Sequence, residues 1–267
     1  MQIIHRISIS ATRRIRQDLA SLGIVKELVT VLDDLVLFEL AESDDRWPDV
    51  RLWIARHDAL DIVTTRFSAA EIAGADWLVM STDRHHGYRQ PESNYMEVTY
   101  DLAGYCSTCG IGAKQNAPFR MKSEPRWGRN GILQLNWVFD EFFAKPEIWD
   151  TIFKPRGVGC RPVLDARDRE LKTVVQLVIE EEVDILIGGL TPVICASCGR
   201  VKYEPAVRGP FPPIQTPPSG HSARARAYFG SGRSAHKAVL VSQQLREAFT
   251  AAKTRGAAFE PVAKDAL

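Results

Sequence analysis

Apolar and polar residues alternate from the start of the chain: in QIIHRISIS the order Arg6, Ile7, Ser8, Ile9, Ser10 has a period of two and predicts a strand. The period then changes. In ATRRIRQDLASLG the residues Ile15, Leu19 and Leu22 fall at helical spacing and Gly23 stops the run. LVLFEL and VRLWIARH read as two more strands, separated by the turn-rich AESDDRWPD. SAAEIAGADWLVM predicts a short helix, with Ser68 as N-cap and Glu71 three residues on completing a capping box. The polar run STDRHHGYRQPESN then reads as an exposed loop, and YMEVTYDLAGY as a strand.

Further along, Ile132 to Trp137 predicts a strand and roughly Glu141 to Phe153 a helix, capped by Asp140, restarted at Pro146 and stopped at Gly157. LKTVVQLVI and VDILIGGLTPVI read as strands. The tail has the same order: strand Ala238 to Val241, N-cap Ser242, helix to about Thr254, stop at Gly256, strand. KPRGVGCRPV from Lys154 and KTRGAAFEPV from Lys253 also share Lys, Arg, Gly, Pro and Val at an offset of 99. An internal repeat gives that match, and so does any helix that ends in glycine and enters a Pro-Val strand. Residues 204–236, rich in proline and then in Gly, Ser and Arg, read as a surface loop or linker. The expectation is an α+β protein. An α+β unit (1–97) comes first, then a cysteine-knuckle region with a large inserted strand–helix–strand unit (98–203), the loop or linker (204–236) and a C-terminal strand–helix–strand (237–267).

Composition adds little to this picture. At 267 residues, 45% hydrophobic and 25% charged, the chain is an ordinary folded protein able to bury a core. Its 34 Lys and Arg against 33 acidic residues give no global positive field for nucleic acid or membrane. With neither a signal-peptide h-region nor an 18-residue apolar run, it reads as cytoplasmic and without membrane contact.

The cysteines change the picture. Four of the five form C-x-x-C-G turns, Cys106/Cys109 with Gly110 and Cys195/Cys198 with Gly199, leaving Cys160 over. Thiolates two residues apart in a tight turn can face one ion, and the following glycine permits a positive φ that aims backbone N–H groups at the sulfurs. The spacing points to a shared four-cysteine site for Zn2+. Two unrelated turns with free thiols, or a dithiol redox pair, are the alternatives; the redox pair lacks the helix N-terminus that activates such cysteines. Four cysteines close a zinc site against water, so the metal is expected to be structural. The 85 residues between the pairs must fold so as to bring their ends together.

Other chemistry is sparser. His85 and His86 in DRHHGYRQPE are candidates for ligand or acid–base work, without a partner set in sequence. His57 reads as a half-buried side chain in a strand. Trp137, Phe139, Phe142, Phe143 and Trp149 read as core, with Asp140 and Glu141 starting a helix rather than forming a carboxylate pair. FRMKSEPRWGRN, RVKY and ARARAYFGSGR offer basic and aromatic groups for nucleic acid. No P-loop, dinucleotide-binding fingerprint or nucleophile elbow occurs.

The two CxxCG knuckles and the ending VLVSQQLREAFTAAKTRGAAFEPV resemble bacterial double-CxxCG-motif proteins, a group associated with immunity factors of polymorphic toxin systems. The resemblance covers the central and C-terminal parts and leaves 1–97 unmatched. It implies Cys106, Cys109, Cys195 and Cys198 as zinc ligands, a protein partner such as a toxin, and no catalytic residues. The leading expectation is therefore a non-enzymatic protein with a structural zinc that acts by binding another protein. The alternatives are a nucleic-acid-binding zinc-ribbon protein and an enzyme with a site near His85 and His86.

Overall fold

The computed structural model describes residues 1–24, 29–32 (backbone) and 34–264. The chain forms two compact units, Met1–Glu71 with Ala206–Pro210 and Ile72–Pro205 with Phe211–Leu267. Residues 72–97, grouped with the N-terminal unit in the sequence reading, contribute strands and a helix to the second.

The first unit runs β1 (Gln2–Ser10), α1 (Arg13–Ser21), β2 (Val29–Leu32), β3 (Leu35–Ala41), α2 (Trp47–His57) and β4 (Leu60–Arg66). Its antiparallel sheet has the order β2-β3-β1-β4, the split βαβ or ferredoxin-like arrangement. The alternation in β1 decides the layers. Ile7 pairs with Phe38, and together with Val36 and Leu40 they pack against Ile15 and Leu19 of α1 and Val50 and Trp53 of α2. Thr12 caps α1 by accepting a hydrogen bond from the Ile15 N–H at 3.1 Å.

VRLWIARH is helix, not the expected strand. Val50, Leu52 and Ile54 imitate alternation, but Val50, Trp53 and Ile54 form the stripe that packs on the sheet and Leu52 is left 60% exposed. His57 therefore lies in the last turn of α2, against Trp53 and 3.5 Å from Asp18. Buried His5 lies between the carboxylates of Asp61 (2.8 Å) and Glu42 (2.9 Å). Glu42 also pairs with Arg208 at 2.6 Å, and these two partners, Arg208 first, hold its carboxyl below the usual range. Thr65 Oγ1 donates to the Val207 carbonyl and accepts from the Gly209 N–H. These contacts bring 206–210 into this unit.

After the first unit's strands comes α3 (Ala69–Gly74), where the Glu71 N–H donates to Ser68 Oγ and the Ser68 N–H to Glu71 Oε2, closing the capping box. Then follow β5 (Trp77–Ser81), β6 (His85–Tyr88), α4 (Tyr95–Thr99), β7 (Tyr100–Asp101), β8 (Lys114–Gln115), β9 (Arg120–Met121), β10 (Ile132–Asn136) and β11 (Phe143–Ala144). Next come α5 (Pro146–Ile148), β12 (Gly159–Asp165), β13 (Glu170–Val178), β14 (Glu182–Val183), β15 (Pro192–Ile194) and β16 (Val201–Tyr203). The chain continues with β17 (Ser222–Phe229), β18 (His236–Ser242), α6 (Gln243–Ala251) and β19 (Ala258–Pro261). One sheet has the order β6-β10-β11-β13-β12-β9; the other has β15-β16-β17-β18-β5-β19 with β14 beside β17. Between them lies a core of Leu78, Met80, Val239 and Val241 from one sheet and Ile132, Ala144 and Leu177 from the other, with Phe153 and Phe249. The six-stranded sheet buries its second face on Phe119, Leu133, Leu135, Phe143 and Val163. Together the units make a mixed α and β chain. Among the described residues no helix is long and apolar enough to cross a membrane.

Several expectations need correction here. The polar run 81–94 contains β6, parallel to β10 with His85 opposite Gln134. YMEVTY is mostly helix α4. Of the helix expected over Glu141–Phe153, the part from Pro146 is helical: α5 runs on through a π-helical turn (Trp149–Phe153) and a 3-10 turn (Lys154–Arg156) to the stop at Gly157. Its start is instead strand β11, because Phe142 and Phe143 fill the two opposite cores. Residues 222–229, expected in a loop, are β17: Ala223 and Ala225 are buried while Arg226 is exposed, and small alanines carry that alternation weakly. The lookalike segments at Lys154 and Lys253 both turn on a positive-φ glycine, Gly157 and Gly256, yet feed strands of different sheets.

Phe38→Ala is expected to cost the first unit about 3–5 kcal/mol by chemical denaturation, whereas Leu52→Ala changes stability by less than about 0.5 kcal/mol. Equal losses would contradict the helical assignment of 47–57.

Candidate metal centre

Each cysteine pair sits in the loop of a two-stranded hairpin. The first lies between β7 and β8, where Tyr100 faces Gln115; the second lies between β15 and β16, where Pro192 faces Tyr203. The turns are built alike. Gly110 N–H donates to the Cys106 carbonyl (2.8 Å) and Gly199 N–H to the Cys195 carbonyl (2.9 Å); Cys106 N–H donates to Ile111 and Cys195 N–H to Arg200, both at 2.9 Å. Gly110 and Gly199 have φ of 84° and 71°. Space also demands glycine in the first knuckle. A Cβ on Gly110 would lie 2.3 Å from the Arg233 carbonyl oxygen, and one on Gly112 2.0 Å from that of Gly104.

The four sulfurs lie within 4.8 Å of one another. Cys106 Sγ is 3.8 Å from Cys195 Sγ, and Cys109 Sγ is 3.7 Å from Cys198 Sγ. A tetrahedral ion with metal–sulfur bonds of ~2.3 Å has sulfur–sulfur edges of about 3.8 Å, so the set matches one ion in spacing and donor type. Thr108 Oγ1 and Ser197 Oγ, 2.9 Å apart, join the tips of the two turns.

The surroundings act on the thiols in opposite directions. Backbone N–H groups of Cys109 and Thr108 pull the Cys106 thiol down to about 6. Arg200 Nε donates to Cys198 Sγ at 3.3 Å and lowers that thiol. Burial pushes the Cys109 thiol up to about 11. Arg200 Nη1 also reaches the Gly104 carbonyl (2.9 Å), crossing from one knuckle to the other. Lys202 is 2% exposed, and its Nζ donates to the carbonyls of Cys109 (3.1 Å), Gly232 (2.7 Å) and Ser234 (2.8 Å). Three carbonyl oxygens thus replace the water that this buried side chain gives up.

All four cysteines singled out in the sequence thus converge and can hold a metal ion, while Cys160 lies apart in β12. Arg200 and Lys202, read in the sequence as basic groups for nucleic acid in RVKY, are instead engaged with the two knuckles. His85 is exposed on β6 and the His86 ring nitrogen meets the Ser123 carbonyl, 3.2 Å away. Neither joins the cysteines. Asp140 is no helix cap, since Oδ2 accepts from the Lys237 N–H at 3.1 Å, and Glu141 pairs with Arg224 at 3.0 Å. Of the aromatics, Phe142 and Phe143 are core, but Trp137 and Phe139 are 67% and 41% exposed.

No family model matches the chain, and no curated protein is significantly similar to it.

Purified protein is expected to carry about one metal ion per chain, and Cys106→Ser and Cys195→Ser each to reduce it to near zero by elemental analysis. Two separate sites would leave metal in both variants. Acidification is expected to release the ion, because protons compete for the thiolates as pH falls; a colorimetric chelator reads this directly.

Proposed function

We propose that Zn2+ occupies the Cys106/Cys109/Cys195/Cys198 set as a structural ion, and that the zinc-ribbon-like pair of hairpins it joins presents a surface to a protein partner. The observation that carries the metal reading is the sulfur geometry, two crossed pairs at 3.8 Å and 3.7 Å. Four thiolates fill a tetrahedral ion's coordination sphere and leave no position for water or substrate, so zinc here supplies a cross-link. The cross-link joins segments 85 residues apart, and its binding energy adds to folding.

The partner reading rests on the second hairpin. β15 is the outer strand of its sheet, and all three of its residues are exposed. Ile194, 68% exposed, faces Val201, 39% exposed, across the hairpin, with Val193 at 37%. An apolar edge strand on a rigid hairpin suits strand addition by a partner, with backbone hydrogen bonds for affinity and side-chain contacts for specificity. The immunity-type role in a bacterial toxin system, expected from the double CxxCG knuckles, is one instance: the partner would be the cognate toxin, held without chemistry.

The experiment looks for a toxin-like reading frame adjacent to this one, pairs its purified product with the chain and measures affinity; absence of such a frame, or of binding, overturns the immunity role. Ile194→Asp is expected to weaken the complex at least about tenfold with zinc content unchanged. An unaltered affinity overturns the hairpin as the docking edge, and a wild-type protein without zinc overturns the metal assignment.

A further inference from the structure

Next to the first knuckle the second unit forms an open cleft of about 850 Å3, within the range of small-molecule sites. Tyr105 and Lys114 of the knuckle segment line one side, and Trp137 to Glu141, between β10 and β11, line another. Gln176 of β13 and Arg224 of β17 contribute from the sheets.

Part of this lining is saturated with its own hydrogen bonds. Arg224 pairs with Glu141 and sends Nε to the Ile179 carbonyl at 2.9 Å. Gln176 donates to Glu141 (2.8 Å), and Gln176 and Gln115 exchange two amide hydrogen bonds (2.8 and 2.7 Å). Such a network is rigid and has little left to offer a ligand.

Two other lining groups are not satisfied. Arg89 Nε and His236 Nδ1 are both buried with no partner among the described residues. Arg89 stacks its guanidinium 3.6 Å above the Tyr95 ring and gives Nη1 to the Asn136 carbonyl (2.9 Å), but faces no carboxylate among the described residues. Arg161 and Lys114 have no ion-pair partner among the described residues either. Six Lys and Arg against four acids line the space, and Arg224 and Lys237 already hold Glu141 and Glu182. Among the described residues Glu180 is the one lining carboxylate with no partner of its own, so the unspent charge is positive.

The mouth is aromatic. Trp137, directly after the carbonyl that anchors Arg89, has a φ of 64° and stays 67% exposed. A bulky side chain in the left-handed region is strained, and strain of this kind collects at binding sites. Phe139 meets Trp137 edge-on (6.4 Å) and the His236 ring at 5.2 Å. Burial keeps the His236 imidazole below its ordinary pKa, hence neutral and able to donate or accept.

We propose that this cleft binds a small organic anion bearing a planar ring, with its phosphate or carboxylate on Arg89 and its ring against Trp137 and Phe139. A guanidinium without a carboxylate partner attracts such oxyanions, and exposed aromatic faces stack on planar rings. The two sources of this chemistry are a nucleoside monophosphate and an aromatic carboxylate. The site is separate from the docking hairpin and independent of the partner reading.

Calorimetric titration of the full-length, metal-loaded protein tests it, with AMP and UMP as one arm and 4-hydroxybenzoate as the other. Inorganic phosphate with adenosine or uridine serves as the half-ligands of the first arm, and acetate with phenol as those of the second. Saturable binding is expected in at least one arm, at least about tenfold tighter than by its half-ligands, and weakened at least about tenfold by Arg89→Gln and by Trp137→Gly. Glycine fits the φ of 137, and retained zinc reports that both variants fold. No saturable binding in either arm, or affinity unchanged in either zinc-retaining variant, overturns the proposal.

Discussion

Four sulfurs from two turns far apart in sequence must occupy the corners of one small tetrahedron, and much of the second unit is arranged to meet that demand. The hairpin between β7 and β8 and the hairpin between β15 and β16 bring their loops tip to tip, with Thr108 against Ser197 and Arg200 reaching back to Gly104. The tolerance is small, since a single methyl group at Gly110 or Gly112 would collide with backbone. The intervening chain is not an appendage to the knuckles. It supplies β8 to β15, most of the six-stranded sheet and the core it shares with β5 and β18.

The first unit answers to a simpler constraint. One face of a four-stranded sheet is covered by α1 and α2 through Ile7, Phe38, Leu19 and Trp53. Its order is set by the alternation of β1 and the helical stripe of α2. The 206–210 segment is tied in by a polar chain from His5 through Glu42 to Arg208, with Thr65 beside it.

Legibility followed the strength of local signals. The CxxCG turns, the Ser68/Glu71 capping box and the Ser242 cap were readable because a few adjacent residues determine each geometry. α2 was not, since Val50, Leu52 and Ile54 satisfy two periods at once and only burial of Trp53 decides between them. The stretch from Asp140 to Ala144 misled for a related reason. A helix cap and a paired carboxylate look the same in sequence, and it takes Arg224, brought in by β17 from far along the chain, to make Glu141 half of a buried ion pair. The cleft was unreadable because its lining comes from separate stretches scattered between Arg89 and Lys237.

A divalent ion held by four thiolates carries two negative charges in surplus. Lys202, closed over by three carbonyls beside Cys109, and Arg200, donating to Cys198, bring two positive charges to the same place. To the rest of the molecule the filled centre would thus be electrically neutral, with its field cancelled within a few ångströms. An apolar hairpin can sit next to such a centre without having to face an uncompensated anion.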